Sequence, residues 1–257
     1  VKSRIKLALT RSPRLYAAAR RWLMVGRYLM RKPHEADFAG FRHFRSRQGQ
    51  FLDIGANTGQ SALSFRIFDR ARPILSIEPL PQHERDLRMV KRLIPRFEYV
   101  MCAAGDVPGT ETLRIPSYNG IELTGEATMS ADGAGGSAWA IDQLGSDAQD
   151  ELEVTEIEVE VRRLDDLGLA PALIKMDVEG FELPALRGLE RTLAEHRPVL
   201  MIERSDKHEE VRGYLEGLGY ATFAYDASSD TFAPLGAQAA LNAFFVPSDA
   251  PDLPAGA

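Results

Sequence analysis

Cysteine is almost missing from this chain: Cys102 is the single thiol in 257 residues. One thiol excludes a disulfide framework and a cysteine-built zinc cage, and it suits a reducing compartment. The chain also lacks any run of 18 uncharged apolar residues, which leaves no candidate for a spanning helix. Acidic side chains are absent from the first 34 positions, which hold ten basic ones (Lys2, Arg4, Lys6, Arg11, Arg14, Arg20, Arg21, Arg27, Arg31 and Lys32). The rest of the chain carries 21 basic against 37 acidic residues, a local −16 within an overall formal charge of −6. A net acidic protein is not a general nucleic-acid binder, whereas a segment of one sign points to an anionic partner at the N-terminus. With 44% hydrophobic and 26% charged residues, wholesale disorder is excluded.

The basic segment interleaves its arginines with Leu15, Tyr16, Trp22, Leu23, Val25, Tyr28 and Leu29. Two readings are open. A basic helix with an aromatic and aliphatic face can lie on an anionic membrane, and the same pattern can dock on a protein core; docking is the first expectation. Arg20-Arg21-Trp22 has the look of an export signal, but Arg27 interrupts the apolar stretch that such a signal needs. The chain is expected in the cytoplasm, with the inner face of the membrane as a peripheral site.

From position 51 short apolar runs alternate with amphipathic ones. Phe51–Ile54, Ile74–Ile77, Tyr99–Ala103, Leu173–Val178, Pro198–Glu203, Tyr220–Tyr225 and Ala243–Val246 read as strands. Residues 82–94 and 209–218 read as helices, and a further helix carries Leu186, Leu189 and Leu193. This rhythm predicts a doubly wound α/β fold with a mainly parallel sheet. Between residues 110 and 162 it is broken by two strands, Thr112–Ile115 and Leu152–Arg162, with a Gly/Ala/Ser-rich stretch from 120 to 146 that reads as a loop or lid. Glu156, Glu158 and Glu160 alternate along the second strand, as a solvated face does. The expected organisation is a basic helical extension (1–47), a main domain (48–247) with an inserted hairpin and loop at about 110–162, and a flexible tail (248–257).

Asp53-Ile54-Gly55-Ala56-Asn57-Thr58-Gly59-Gln60 is the most informative run. Glycines at a strand-to-helix turn admit positive φ and close approach, and the following helix offers free amides to an anion. A dinucleotide fingerprint needs glycine at its third and sixth places, which here hold Asn57 and Gln60. That pair disfavours NAD and suits a smaller zwitterionic ligand, with Asp53 placed to hold its amine directly or through water. Glu78 ends the second strand, where an acidic residue accepts hydrogen bonds from ribose hydroxyls. Together these features point to an adenosine-bearing ligand.

Asp53–Gln60, Ile77-Glu78-Pro79, the run Ile174-Lys175-Met176-Asp177-Val178-Glu179-Gly180-Phe181-Glu182 and Val199–Glu203 resemble the FkbM-type family of S-adenosylmethionine-dependent methyltransferases, from about Gln50 to about Arg204. The resemblance implies a Rossmann-like, class I sheet of seven strands, one of them antiparallel. It also implies S-adenosyl-L-methionine as donor and O-methylation of a hydroxyl on a sugar, glycan, glycolipid or polyketide. The donor-binding residues would then be Asp53, Gly55, Asn57, Gly59, Gln60 and Glu78, with Cys102 beside the adenine and Asp106 reaching its amine.

An alcohol is a poor nucleophile until its proton is removed or polarised. Asp177 and Glu179, at a strand end, are the candidates for that task, with Glu203 and His208 in support. Lys175, on the opposite strand face from Met176, is expected to pair with a carboxylate. Asp177 and Glu179 also suit Mg²⁺ or Mn²⁺ as oxygen ligands, although their spacing does not require a metal. The alternatives are an NAD-dependent nucleotide-sugar oxidoreductase and a non-catalytic binding module on the same fold.

Overall fold

The computed structural model describes residues 13–118, 121–129, 152–236 and 240–254. Among these, eight strands build the main sheet: β1 (Gln50–Ile54), β2 (Ile74–Glu78), β3 (Phe97–Met101), β8 (Pro171–Met176), β9 (Val199–Glu203), β10 (Tyr220–Asp226), β11 (Thr231–Pro234) and β12 (Asn242–Pro247). A smaller sheet holds β4 (Ala103–Ala104), β5 (Gly109–Tyr118), β6 (Ile121–Glu122) and β7 (Leu152–Arg162). The helices are α1 (Pro13–Leu29), α2 (Gln60–Phe68), α3 (Glu84–Leu93), α4 (Glu182–Arg187), α5 (Glu190–His196) and α6 (His208–Gly217).

The main sheet runs β11-β10-β12-β9-β8-β1-β2-β3. Its pairs from β3 to β9 are parallel, whereas β12 is antiparallel to both neighbours and β11 is antiparallel to β10. The doubly wound expectation holds, but the sheet has eight strands rather than seven, and two of them are reversed rather than one. The extra strand, β11, comes from a tight turn in which Asp226 accepts hydrogen bonds from Ser228 and Ser229, and Asp230 takes φ +57°. Such a polar run reads as a loop, and what holds β11 is a backbone ladder to β10.

Side-chain alternation splits the core into two layers. Leu52, Ile54, Ile174, Met176, Ile202 and Phe245 face one side; Phe51, Leu173, Val199, Met201 and Phe244 face the other. The second layer is closed by the N-terminal extension. Residues Ala36–Phe44 form a 3-10 helix, whose three-residue turn stacks every third side chain on one face. Phe38, Phe41 and Phe44 are accordingly all buried, with the Phe41 ring 5.4 to 5.6 Å from those of Phe51, Phe65 and Phe244. Burial of each such ring is worth about 1.5–3 kcal/mol before entropy. Ahead of it α1 docks through buried Met24 and an ion pair between Arg21 and Asp86. At the other end of the chain Arg47 grips Asp252 through two hydrogen bonds of 2.9 and 2.6 Å, so the tail is tied down there.

The inserted hairpin is β5 against β7, registered from Gly109↔Val161 to Tyr118↔Leu152. Glu156, Glu158 and Glu160 are exposed along it, the first and last paired with Arg114 and Arg162. Its other face packs Leu113, Ile115, Val159 and Val161 on Leu80 and Ala103. Of the stretch 120–146 expected as a loop or lid, residues 120 and 130–146 lie outside the described residues.

Candidate active site

A cavity of about 290 Å³ opens beyond the carboxyl ends of β1, β2, β8 and β9. In an open α/β sheet this is where ligands bind, because strand order reverses there and the loops diverge. Gly55, Asn57, Gln60, Glu78, Cys102, Asp177, Glu179 and Glu203 all line it. Sequence reading had singled out these eight, and the fold brings them together.

Backbone geometry builds the turn. Gly55 has φ +83°, and a Cβ there would meet the Asp177 carbonyl oxygen at 1.7 Å. Glycine is therefore required by contact with the neighbouring strand, which lets β1 and β8 end side by side. Asn57 takes φ +49°, a conformation that asparagine tolerates better than most residues. The Asn57 amide donates to Glu78 Oε2 at 2.7 Å, while Glu78 Oε1 accepts from the Leu80 amide at 3.0 Å and lies 3.1 Å from His83 Nδ1. Glu78 is thus buried and held in one orientation, with lone pairs to spare for a ligand hydroxyl.

Beneath the acidic wall sits Lys175, completely buried. Its Nζ is 3.8 Å from Asp177 and 3.9 Å from Glu203, and it donates to Asn242 Oδ1 at 3.1 Å. Burial opposes its charge, but Asp177, Glu35, Glu203 and Asp53 outweigh that and raise its pKa. The Asn242 amide donates in turn to Glu35 and Asp37 at 3.0 Å each. Burial first, and the adjacent Asp177 carboxylate second, push Glu203 up to about 8. Glu35 goes the other way: burial would raise it, yet hydrogen bonding to His34 and the charge of Lys175 hold it near 2.

Four expected site residues lie elsewhere. Asp53 does not line the cavity: it is fully enclosed below it, accepting from Ser76 Oγ at 2.8 Å, because strand alternation turns it into the core layer beside Lys175. Gly59 packs instead on α3, where a Cβ would come within 2.8 Å of Val90. Asp106 is carried off because Ala103–Ala104 pairs with β7 and the chain follows the small sheet. His208 is buried at the start of α6, 6.4 Å from the Phe245 ring, and neither ring nitrogen has a partner. Burial lowers its pKa, which disfavours its charged form. Cys102 does line the cavity, and burial pushes its thiol up to about 11, which leaves it a small apolar wall residue rather than a nucleophile.

Glu35 lines the cavity and was not anticipated. Its signal in the sequence is that it is the first acidic residue after 34 positions without one. Leu113, Thr124, Gly125, Ala127 and Met129 also line it, the last four from the described part of the expected lid. The Thr128 hydroxyl donates to the Glu179 carbonyl at 2.6 Å, fastening that segment to the β8 turn. Among the described residues no group of three or more His, Cys, Asp or Glu is arranged to hold a metal ion.

A family model, the methyltransferase FkbM domain, matches residues 53–222, about two thirds of the chain. No curated protein matches the sequence. Among solved structures, methyltransferase FkbM from Methylobacillus flagellatus KT aligns at 22% identity and a TM-score of 0.48, over 80% of this chain and 47% of that one. The chain thus spans about half the length of that protein. The precorrin-6y C5,15-methyltransferase from Geobacter metallireducens GS-15 aligns at 12% identity and a TM-score of 0.43, over 84% and 87% of the two chains. The C-terminal domain of the Rhodobacter capsulatus precorrin-6Y enzyme gives 14% and 0.39, over 80% and 83%. With its glycine turn, its strand-end carboxylates and two thirds of its length inside the family model, the chain belongs to the FkbM methyltransferase family.

Proposed function

We propose that the protein transfers a methyl group from S-adenosylmethionine to a hydroxyl, and that Glu203, coupled to Asp177 above the buried Lys175, takes up the hydroxyl proton. The observation that carries this reading is the carboxylate pair itself: two acidic groups on one cavity wall, one of them poised near 8. That is the range in which a general base works best.

The cavity suits the donor. Gly55, Asn57 and Gln60 frame the amino-acid end, Glu78 the ribose, and Cys102, Ala103 and Leu113 offer an apolar wall to the base. When bound, S-adenosylmethionine supplies a methyl group on a positively charged sulfonium. Glu35, Asp177 and Glu179 make the lining acidic, which favours a cation and disfavours the diphosphate of a dinucleotide. The NAD alternative loses on that ground as well as on Asn57 and Gln60. Lys175 keeps Asp177 and Glu203 side by side, so alignment of the acceptor falls to fixed groups, as an in-line displacement requires. The acceptor class, a sugar, glycan or glycolipid hydroxyl with a polyketide as the other option, follows from the family resemblance.

The test is transfer of a labelled methyl group to a panel of hydroxyl acceptors by wild type and Glu203→Gln. Because Glu203 holds its proton below about 8, wild-type turnover should rise as pH climbs through that value. The variant should lose that rise and fall about 10²–10⁴-fold, while donor binding persists. An unchanged pH profile in the variant would remove Glu203 from the reaction.

A further inference from the structure

Helix α1 carries apolar side chains on its outer side as well as on its inner one. Met24 is buried and Arg21 meets Asp86 on its inner side. Trp22 (78% exposed), Leu29 (69%), Met30 (61%) and Leu23 (61%) point outward. At 100° per residue Trp22, Leu23 and Leu29 lie within an arc of about 120°, with Met30 just past the end of the helix. Gly26 falls on the same arc, with open space where a Cβ would stand. An apolar strip of this kind on a soluble surface marks a contact face.

The strip ends at exposed Arg31, on the lip of an open cleft of about 910 Å³ that also exposes Arg45, Arg70 and Arg96 and includes Arg47 and Arg72. The cleft has one acidic group, Asp69, already bound to Arg72 at 3.0 Å. Gly49 and Gln50, Pro73, Arg96 and Ala170 place the cleft at the amino ends of the parallel strands. The acidic cavity sits at their carboxyl ends. Charge is therefore segregated along the strand axis, basic at one end and acidic at the other.

We propose that the outer face of α1 and this arginine-lined cleft form one docking surface for an anionic lipid bilayer. The strip inserts at the headgroup level, where Trp and Leu side chains settle, and the arginines neutralise lipid phosphates. Exposed Lys32, next to Arg31, adds to the same attraction. The acidic cavity is repelled by such a surface and faces away from it. A second copy fits the face poorly, because two strongly basic surfaces would meet. Nucleic acid would use the arginines but gain nothing from Leu23, Leu29 and Met30.

The experiment is co-sedimentation of the full chain with vesicles of phosphatidylglycerol and phosphatidylcholine, and of phosphatidylcholine alone, at low and high salt. Binding is expected to the anionic vesicles only and to weaken with salt. Arg31→Gln with Arg70→Gln should bind about twenty-five-fold more weakly, at about five-fold per charge. Trp22→Ser with Leu29→Ser should release the protein at moderate salt. All four positions are exposed, and an unaltered unfolding temperature shows that the variants fold. Equal binding to neutral vesicles, or undiminished binding by both variants, overturns the proposal. So does a dimer that Trp22→Ser with Leu29→Ser dissociates in the absence of lipid. These readouts are independent of methyl transfer and stand or fall without it.

Discussion

At Asp53 the fold sets burial directly against charge. Enclosure raises its carboxyl from 3.8 to about 7, although the Ser76 hydroxyl stabilises the anion. A carboxyl whose pKa is higher in the folded state binds its proton more tightly there, so its contribution to stability falls as pH rises from about 4 to about 7 and is flat above that. Asp53→Asn removes this penalty and keeps an acceptor for Ser76. Its stability relative to wild type should therefore improve between pH 5 and pH 8, by about 1–3 kcal/mol, as read from urea midpoints at both values. A difference that does not change with pH would show that Asp53 is ionised throughout. Glu203 is raised for the same leading reason, but it lies at the cavity, where its proton can serve the reaction.

At the scale of elements, the decisive contact joins β8, β9, β12 and the N-terminal extension through one cation. Lys175 links Asp177 and Glu203, and Asn242 hands the connection on to Glu35 and Asp37. Removing one partner from a buried ionic network leaves the others uncompensated, at a cost of about 3–5 kcal/mol. Lys175→Met, similar in length, is expected to lose that much in guanidinium denaturation. A loss under about 1 kcal/mol would mean that the surrounding carboxyls take up protons and need no cation. The strand period alone had separated Lys175 from Met176 and pointed it to a carboxylate. The identity of Glu35 and Asn242 as further partners was not readable, since they stand more than 200 positions apart in the chain.

For the whole molecule, the balance of charge at the two ends of the sheet bears on ligand choice. S-adenosylmethionine and S-adenosylhomocysteine should raise the unfolding temperature and NAD should not. A ligand at about 100 times its dissociation constant adds about 2.7 kcal/mol, well within detection by thermal shift. Stabilisation by NAD alone would reverse the choice of donor. Among the described residues no helix is long and apolar enough to cross a membrane.

The α/β rhythm, the glycine turn, Glu78 and the Asp177–Glu203 wall were all contained in the sequence. Each rests on a local rule: side-chain period, strand-end position or backbone freedom at glycine. Tertiary structure alone decided the rest. It enclosed Asp53 and His208, diverted Asp106 with the small sheet, folded β11 onto β10 and brought Glu35 to the cavity. It also left Trp22, Leu23 and Leu29 of α1 facing outward and gathered arginines at the amino ends of the strands. These outcomes depend on which distant surfaces meet and how much water they exclude, and a local pattern carries no record of either.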